Sequence, residues 1–328
     1  MCIDTCGIVY KRYCISVLEE LMIFAVTMNP SLDRIIDIDE LIYDDVNKIL
    51  EERRQVSGKA IDAARVIKEL GGQSVLLGLI GGYNGLEVEG RLIDEGIVCD
   101  LSRVNGETRT NIVIHQRKKK LQTLFSASEP GVTPVEIAAF HSRLREIPRD
   151  SYVIISGGVP PGVSPNFYAQ VITSLQGKNV RIVLDTDGEA LKGGVMANPF
   201  LIKPNIHEFG RLVEKNVRDV DEIAEHVPRL LGSVEYVVVS MGGRGVVAFS
   251  RSERYQVVPP KVNVKSSIGA GDALVGGLVY ALNEGTAFRE ALALGVACGT
   301  ASTLNGVGAS CSKGDVDRIR KEVVVKNV

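Results

Sequence analysis

From residue 152 onward the chain alternates short, uninterrupted apolar runs with amphipathic stretches, and this rhythm restricts the fold more than any other feature. The runs at 152–156, 180–185, 201–203, 236–240 and 245–250 are apolar at successive positions, as strands must be when both sheet faces are covered. Apolar residues at helical spacing predict helices at 134–146, 165–175, 206–213, 221–231, 272–283 and 288–304. Such alternation is the pattern of an α/β fold, a mainly parallel sheet with helices on both faces. The first third is different in kind. Buried-type strands at 22–27 and 74–80 flank loosely alternating segments at 34–41 and 49–56, and a helix opens at Ser57-Gly58-Lys59 and closes at Gly71-Gly72. A further helix is expected at 88–95, and a hairpin at 110–115 and 121–126. These segments predict a small β-sheet extension, partly open on one face, on a single domain spanning 22–328. Residues 1–21 are expected to lie outside that fold.

The 328 residues suffice for a sizeable core. A net charge of −2 supplies no global positive field, which argues against nucleic acid or an anionic membrane as partner. The concentrated basic run Arg117-Lys118-Lys119-Lys120 lies between the two hairpin segments and reads as a solvated turn. No apolar run approaches the roughly 18–20 residues that cross a bilayer. Six cysteines, at 2, 6, 14, 99, 298 and 311, form no C-x-x-C pair and no zinc spacing with the four histidines. Reduced thiols and a cytoplasmic setting are expected.

In an open parallel sheet, ligands bind beyond the carboxyl ends of the strands. The most telling of these ends is Ser267-Ile268-Gly269-Ala270-Gly271-Asp272, followed by Leu274, Leu278 and Leu282 at helical spacing. Gly269, Ala270 and Gly271 leave amides open at a helix start, a ready anion site. Asp272 in the first turn is placed to act as a general base beside that anion, or merely to start the helix. Other strand ends carry Asp33, a turn residue or a ligand, and Lys59 at a helix start. Asn205 and Glu208, three apart, suit either a helix cap or the waters of a Mg²⁺ ion. Ser240-Met241-Gly242-Gly243-Arg244-Gly245 suits either a tight turn or a nucleotide. There is no Walker lysine loop and no G-x-G-x-x-G after the first strand, which disfavours P-loop proteins and dehydrogenases. An anion hole, a base and a Mg²⁺-ordering pair together suit phosphoryl transfer to a hydroxyl.

These residues resemble the ribokinase-like (PfkB) carbohydrate kinases over Met22 to about Gly308, in particular the phosphofructokinase and tagatose-6-phosphate kinase branch. Ile268-Gly269-Ala270-Gly271-Asp272 resembles the family's C-terminal signature, and Thr27-Met28-Asn29-Pro30-Ser31-Leu32-Asp33 resembles T-x-N-P-x-x-D. Thr108-Arg109-Thr110-Asn111 is similar to T-R-x-N, and Ser156-Gly157-Gly158-Val159-Pro160-Pro161-Gly162 to S-G-S-L-P-P-G. Leu184-Asp185-Thr186-Asp187-Gly188-Glu189-Ala190-Leu191 is similar to L-D-T-S-G-E-A-L, and Lys203-Pro204-Asn205-Ile206-His207-Glu208 to K-P-N-x-x-E. The resemblance implies a ribokinase-like fold with a β-sheet lid at about 33–56 and 107–127, paired in a homodimer. It implies ATP-dependent phosphorylation of a phosphorylated ketohexose. Asp272 would be the base, and the Gly269, Ala270 and Gly271 amides would neutralise the transferring phosphate. Asp33, Gly58, Lys59, Asp62, Arg109, Asn111 and Ser156 would hold the sugar phosphate. Ser240, Gly242, Gly243, Gly245 and Gly271 would line the ATP side, and Asn205 with Glu208 would order Mg²⁺ through water. Whether potassium (K⁺) activates stays open.

One segment departs from the branch. Where it reads G-G-K-G-I-N, this chain has Ser57-Gly58-Lys59-Ala60-Ile61-Asp62, three changes expected to face the sugar. Ser126-Ala127-Ser128-Glu129-Pro130-Gly131 also lacks the branch's N-G-P-G. These changes leave the choice among fructose 1-phosphate, fructose 6-phosphate and tagatose 6-phosphate open. A kinase of an unphosphorylated sugar or nucleoside, or a non-catalytic sugar-phosphate sensor, are the rival functions.

Overall fold

The computed structural model describes residues 22–305 and 311–328; the expected N-terminal extension, residues 1–21, lies outside the described residues. The chain opens with β1 (Ile23–Thr27), sends out β2 (Ser31–Ile38) and β3 (Glu51–Ser57), and returns through α1 (Lys59–Glu69) to β4 (Ser74–Gly81). Then come α2 (Gly82–Asp94), β5 (Val98–Val104), and the hairpin of β6 (Ile112–Gln116) and β7 (Leu121–Phe125). Regular alternation follows through α3 (Pro134–Leu144), β8 (Tyr152–Ser156), α4 (Phe167–Ser174), β9 (Arg181–Asp185) and α5 (Gly188–Met196). It continues through β10 (Leu201–Ile202), α6 (Ile206–Val213), α7 (Val220–Leu230) and β11 (Tyr236–Ser240). The chain closes with β12 (Val246–Phe249), β13 (Arg254–Val258), α8 (Ala270–Asn283), α9 (Phe288–Ser302), α10 (Lys313–Arg320) and β14 (Val324–Asn327).

The main sheet has the order β14-β13-β12-β11-β10-β9-β8-β1-β4-β5. It is parallel from β5 to β11 and antiparallel from β11 to β14. The apolar strands divide their side chains between two layers at period two. Val153 and Ile155 of β8 pack with α3 to α7, while Tyr152 and Ile154 pack with α1, α8, α9 and α10. From β1 the chain builds outward to β4 and β5, then crosses back to β8 on the other side. That reversal is a topological switch point, and it opens a crevice at the carboxyl ends of β1 and β8.

A second sheet, β3-β2-β6-β7, realises the expected extension. It is mixed: β2 pairs antiparallel with β3 and parallel with β6. The basic turn after β6 is neutralised locally, because Arg117 bonds Asp37 and Glu51 while Lys118 and Lys119 pair with Asp39 and Glu40. It is thus a solvated turn, as its flanking pattern implied.

Several elements have no clear signal in the sequence. The edge strands β5 and β14 carry mixed polar residues because only one neighbour covers them. Helix α5 holds Gly188, Gly193 and Gly194, poor helix formers that tertiary packing overrides. One departure is corrected by the fold. Ala60, expected to face the sugar, is fully buried beside Leu32, Val56 and Ile61, because α1 turns that side toward the sheet.

Helices α1 and α8 touch almost backbone to backbone. A Cβ on Gly276 would stand 2.6 Å from the Ala63 carbonyl oxygen, which has no room to yield. Gly276→Ala is therefore expected to cost about 1–3 kcal/mol through overpacking. A chemical-denaturation curve superimposable on that of the wild type would contradict this.

Candidate active site

The crevice is a cavity of about 360 Å³. It brings together Asp33, Gly58, Lys59, Asp62, Arg109, Asn111, Ser156, Gly269 and Asp272, residues drawn from both halves of the sequence. Two helices point their N-termini at it, and both begin on glycine without a side-chain cap: α1 after Gly58 and α8 after Gly269. Gly269 has φ 81°, a left-handed turn that glycine enters without strain; no side chain caps α8's first turn, and the Ala270 amide makes a long bond, 3.3 Å, to Ser267 O. By contrast, α3, α6 and α7 spend side chains on capping their own first turns.

Beneath the cavity floor sits a cluster of charges. Asp185, fully buried at the end of β9, lies 3.1 Å from Lys203 and 3.7 Å from Lys59, both through Oδ1. Ser156 donates to its other oxygen, Oδ2, at 3.2 Å. A Cβ on Gly271 would stand 3.4 Å from Lys203 Nζ, so that ammonium lies close to α8's first turn. Burial, then the negative charges of Asp185 and Asp62, push the Asp272 carboxyl up to about 7, against the pull of Lys59 and Lys203. Burial lowers the Lys59 ammonium's pKa, but Asp185, Asp272 and Glu208 outweigh it and the net shift is upward. A cation flanked by three carboxylates stays charged.

At the lid side, Asn111 Nδ2 donates to Asp33 Oδ1 at 2.8 Å and to Ser31 Oγ at 3.1 Å, while Ala127 N donates to Asn111 Oδ1. Ser31 also donates to Asp33 at 2.7 Å, so Asp33 is held from two sides. Arg109 lines the same cavity, and its buried Nε has no partner among the described residues. An N–H left so is a site waiting for an acceptor.

The residues expected to line the nucleotide side lie outside this cavity but form a second group. Asn205 bridges to Ser240 in parallel register, and Ser240 N donates to Pro204 O at 3.0 Å. Asn205 and Glu208 make a complete capping box at the start of α6, the structural one of their two readings. Glu208 Oε2 is taken by the Asn205 amide, which leaves Oε1 outside the box. Gly242 and Gly245 take φ of 60° and 83° in the short turn between β11 and β12, and a Cβ on Gly245 would collide with Val257 O.

Four contributors were not singled out from the sequence. Asp185 and Lys203 stood within recognised motifs, and a charged residue ending an apolar strand was the available signal. Glu129, bonded to Asn29 across the cavity, stood within the departing segment. Arg65 had no signal, because its importance depends on what α1 packs against.

A carboxyl held near neutrality beside a helix start with no side-chain cap, with cations below, is an arrangement suited to phosphoryl transfer to a hydroxyl. Comparison with known proteins agrees. The family model described as "pfkB family carbohydrate kinase" matches residues 25–313. The chain is 30% identical over 309 residues to a 1-phosphofructokinase of Borreliella burgdorferi, covering 94% of this chain and 99% of that one. It is 27% identical to a tagatose-6-phosphate kinase of Staphylococcus epidermidis, covering 94% and 100%. Among solved structures, phosphofructokinase-2 from Escherichia coli in complex with potassium superimposes with a TM-score of 0.88 at 29% identity, covering 92% and 99%. The chain belongs to the PfkB family of carbohydrate kinases.

Because a base must be ionised to act, kcat/KM should rise with pH to half its plateau near pH 7. An acid limb centred near 4 would contradict the environment described for Asp272. The same shift bears on stability. The folded chain keeps a proton that the unfolded chain releases above about pH 4. This group's stabilisation is therefore present at acid pH and lost as pH rises through about 7. Asp272→Asn should accordingly melt above wild type at pH 8, with the gap closing toward pH 5; equal melting at both would argue against a raised pKa.

Proposed function

We propose that this protein is an ATP-dependent kinase of a phosphorylated ketohexose: fructose 1-phosphate, fructose 6-phosphate or tagatose 6-phosphate. The observation that carries the proposal is the cavity in which the unpartnered Arg109 Nε and the partly exposed Lys59 share a wall with Asp272. An unphosphorylated sugar would leave the Arg109 donor unpaired, and a sensor has no use for a base of raised pKa. The names of the relatives at 27–30% identity point to the same substrates.

Arg109 and Lys59 hold the sugar's phosphate, and Asp33, fixed by Ser31 and Asn111, accepts from its hydroxyls. Asp272 takes the proton of the acceptor hydroxyl. That oxygen bonds the γ-phosphorus of ATP as the bond to the leaving ADP oxygen breaks, and the amides of Gly269, Ala270 and Gly271 meet the transferring charge. Ser240, Gly242, Gly243 and Gly245 form the nucleotide side. Among the described residues no three His, Cys, Asp or Glu groups are arranged to hold a metal ion directly. Glu208 Oε1 and Asn205 therefore suit Mg²⁺ through its water shell, where the ion would offset phosphate charge. Potassium is worth testing because the E. coli phosphofructokinase-2 structure is a complex with it; no residue is assigned to it.

The lid exposes Leu121, Leu124 and Phe125 on β7, and Ile42, Tyr43 and Val46 on the loop after β2. Such a surface supports homodimerisation through the lid. No described helix is long and apolar enough to cross a membrane, and Cys99 and Cys298 are thiols outside any disulfide, which suits a cytoplasmic enzyme.

ADP release measured with Mg·ATP against the three sugar phosphates and free fructose tests the reading. At least one phosphorylated sugar should exceed fructose; no turnover of any of the three would overturn it. Asp272→Asn should lower kcat by roughly 10²-fold or more while ATP binding is kept, the scale of a lost general base. Arg109→Met should raise the KM for the sugar phosphate by about tenfold or more with the KM for ATP little changed. Equal changes in both KM values would remove Arg109 from the sugar-phosphate site.

A further inference from the structure

Four carboxylates line the cavity: Asp33, Asp62, Glu129 and Asp272. Asp33 is occupied by Ser31 and Asn111, Glu129 accepts from Asn29, and Asp272 is placed as the base. Asp62 stands where the resembling branch carries asparagine, and its surroundings differ from those of the other three. Its Oδ1 accepts from Arg65 Nη1 at 2.8 Å, one turn along α1. Arg65 is itself fixed by two bonds to Glu95, at 2.7 and 2.9 Å, and only a tenth of its side chain is exposed. The other oxygen, Oδ2, lies toward Gly269, where a Cβ would stand 3.5 Å from it. Asp62 thus presents one free oxygen beside the start of α8 and the base.

An asparagine amide at this position can donate or accept; a carboxylate can only accept. Burial pushes the Asp62 carboxyl up and outweighs the downward pull of Arg65, so the net shift is upward, and the Arg65 bond to Oδ1 fixes which oxygen faces the cavity. Any substrate atom that meets Oδ2 must carry a proton. An acceptor there would face an unpaired, partly buried carboxylate, and an anion would meet repulsion.

We propose that Asp62, held by Arg65, is a specificity-determining acceptor that requires a free hydroxyl on the sugar phosphate close to the hydroxyl being phosphorylated. It selects against deoxy and fluoro analogues and against a second phosphate at that place. The proposal rests on the kinase reading above and narrows its substrate class.

The test uses the sugar phosphate that the wild type turns over best and its set of monodeoxyfluoro analogues, each keeping the phosphate and the reacting hydroxyl. A fluorine matches a hydroxyl in size but cannot donate. In the wild type, one ring position should lose about tenfold or more in kcat/KM, with the other positions less affected. Asp62→Asn should recover most of that loss at the same position, a change that a merely structural role would not produce. The acid limb of its pH profile should also move to lower pH, because Asp62 is one of the charges facing Asp272, with Asp185 alongside and Lys59 and Lys203 opposing. A flat fluoro profile in an active wild-type enzyme overturns the proposal, and so does an unchanged analogue ratio in Asp62→Asn. Should that variant not fold, the wild-type profile alone decides. A wild type inactive on all three ketohexose phosphates contradicts the kinase reading first and this proposal with it, an outcome distinct from a flat profile.

Discussion

The site depends on one choice: the first turn of α8 is left uncapped. Several other helix starts here are satisfied by their own side chains, through Thr133, Asp187, Asn205, Asp219 and Ser312, while those of α1 and α8, the two at the cavity, are not. At Gly269 a left-handed glycine replaces the capping side chain, and no side chain competes with an anion for the first-turn amides. Placing Asp272 in the same turn would normally favour the ionised carboxylate, through the helix dipole. Burial and the neighbouring carboxylates win instead and hold it near neutrality, where a base both accepts a proton and releases it readily. Lys59 and Lys203 then keep the cluster from becoming an uncompensated patch of negative charge.

Everything else serves that turn. The switch point between β4 and β8 puts the ends of β1 and β8 opposite it. The absence of side chains at Gly276 lets α1 lie against α8, so that Lys59 and Asp62 reach the same cavity as Asp272. The second sheet brings in Asp33, Arg109 and Asn111 from the lid side.

Much of this was legible in the residues. The central strands announce themselves because burial on both faces forbids polar residues, and β8 and β11 fall where their apolar runs do. Edge strands β5 and β14 do not, since one exposed edge permits the mixed composition of a loop. The loops that line the cavity were readable because glycine and proline at strand ends have few structural substitutes. What could not be read was which side of α1 faces the cavity. Ala60, expected to face the sugar, is core, while Arg65, which carries no signal in the sequence, holds Asp62. A helix's rotation is settled by its neighbours, and Glu95, thirty residues later, belongs to none of α1's own signals. Asn205 and Glu208 admit two readings, and the cap is the one visible in the fold.

The central claim is that phosphoryl transfer takes place at the start of α8. A crystal structure with a non-hydrolysable ATP analogue, Mg²⁺ and the preferred sugar phosphate tests it most directly. The acceptor hydroxyl should lie within about 3 Å of an Asp272 carboxylate oxygen. The γ-phosphate should lie against the amides of Gly269 to Gly271, and the sugar's own phosphate against Arg109. A complex in which the γ-phosphate lies away from that helix start, or in which another group contacts the acceptor hydroxyl, would contradict it.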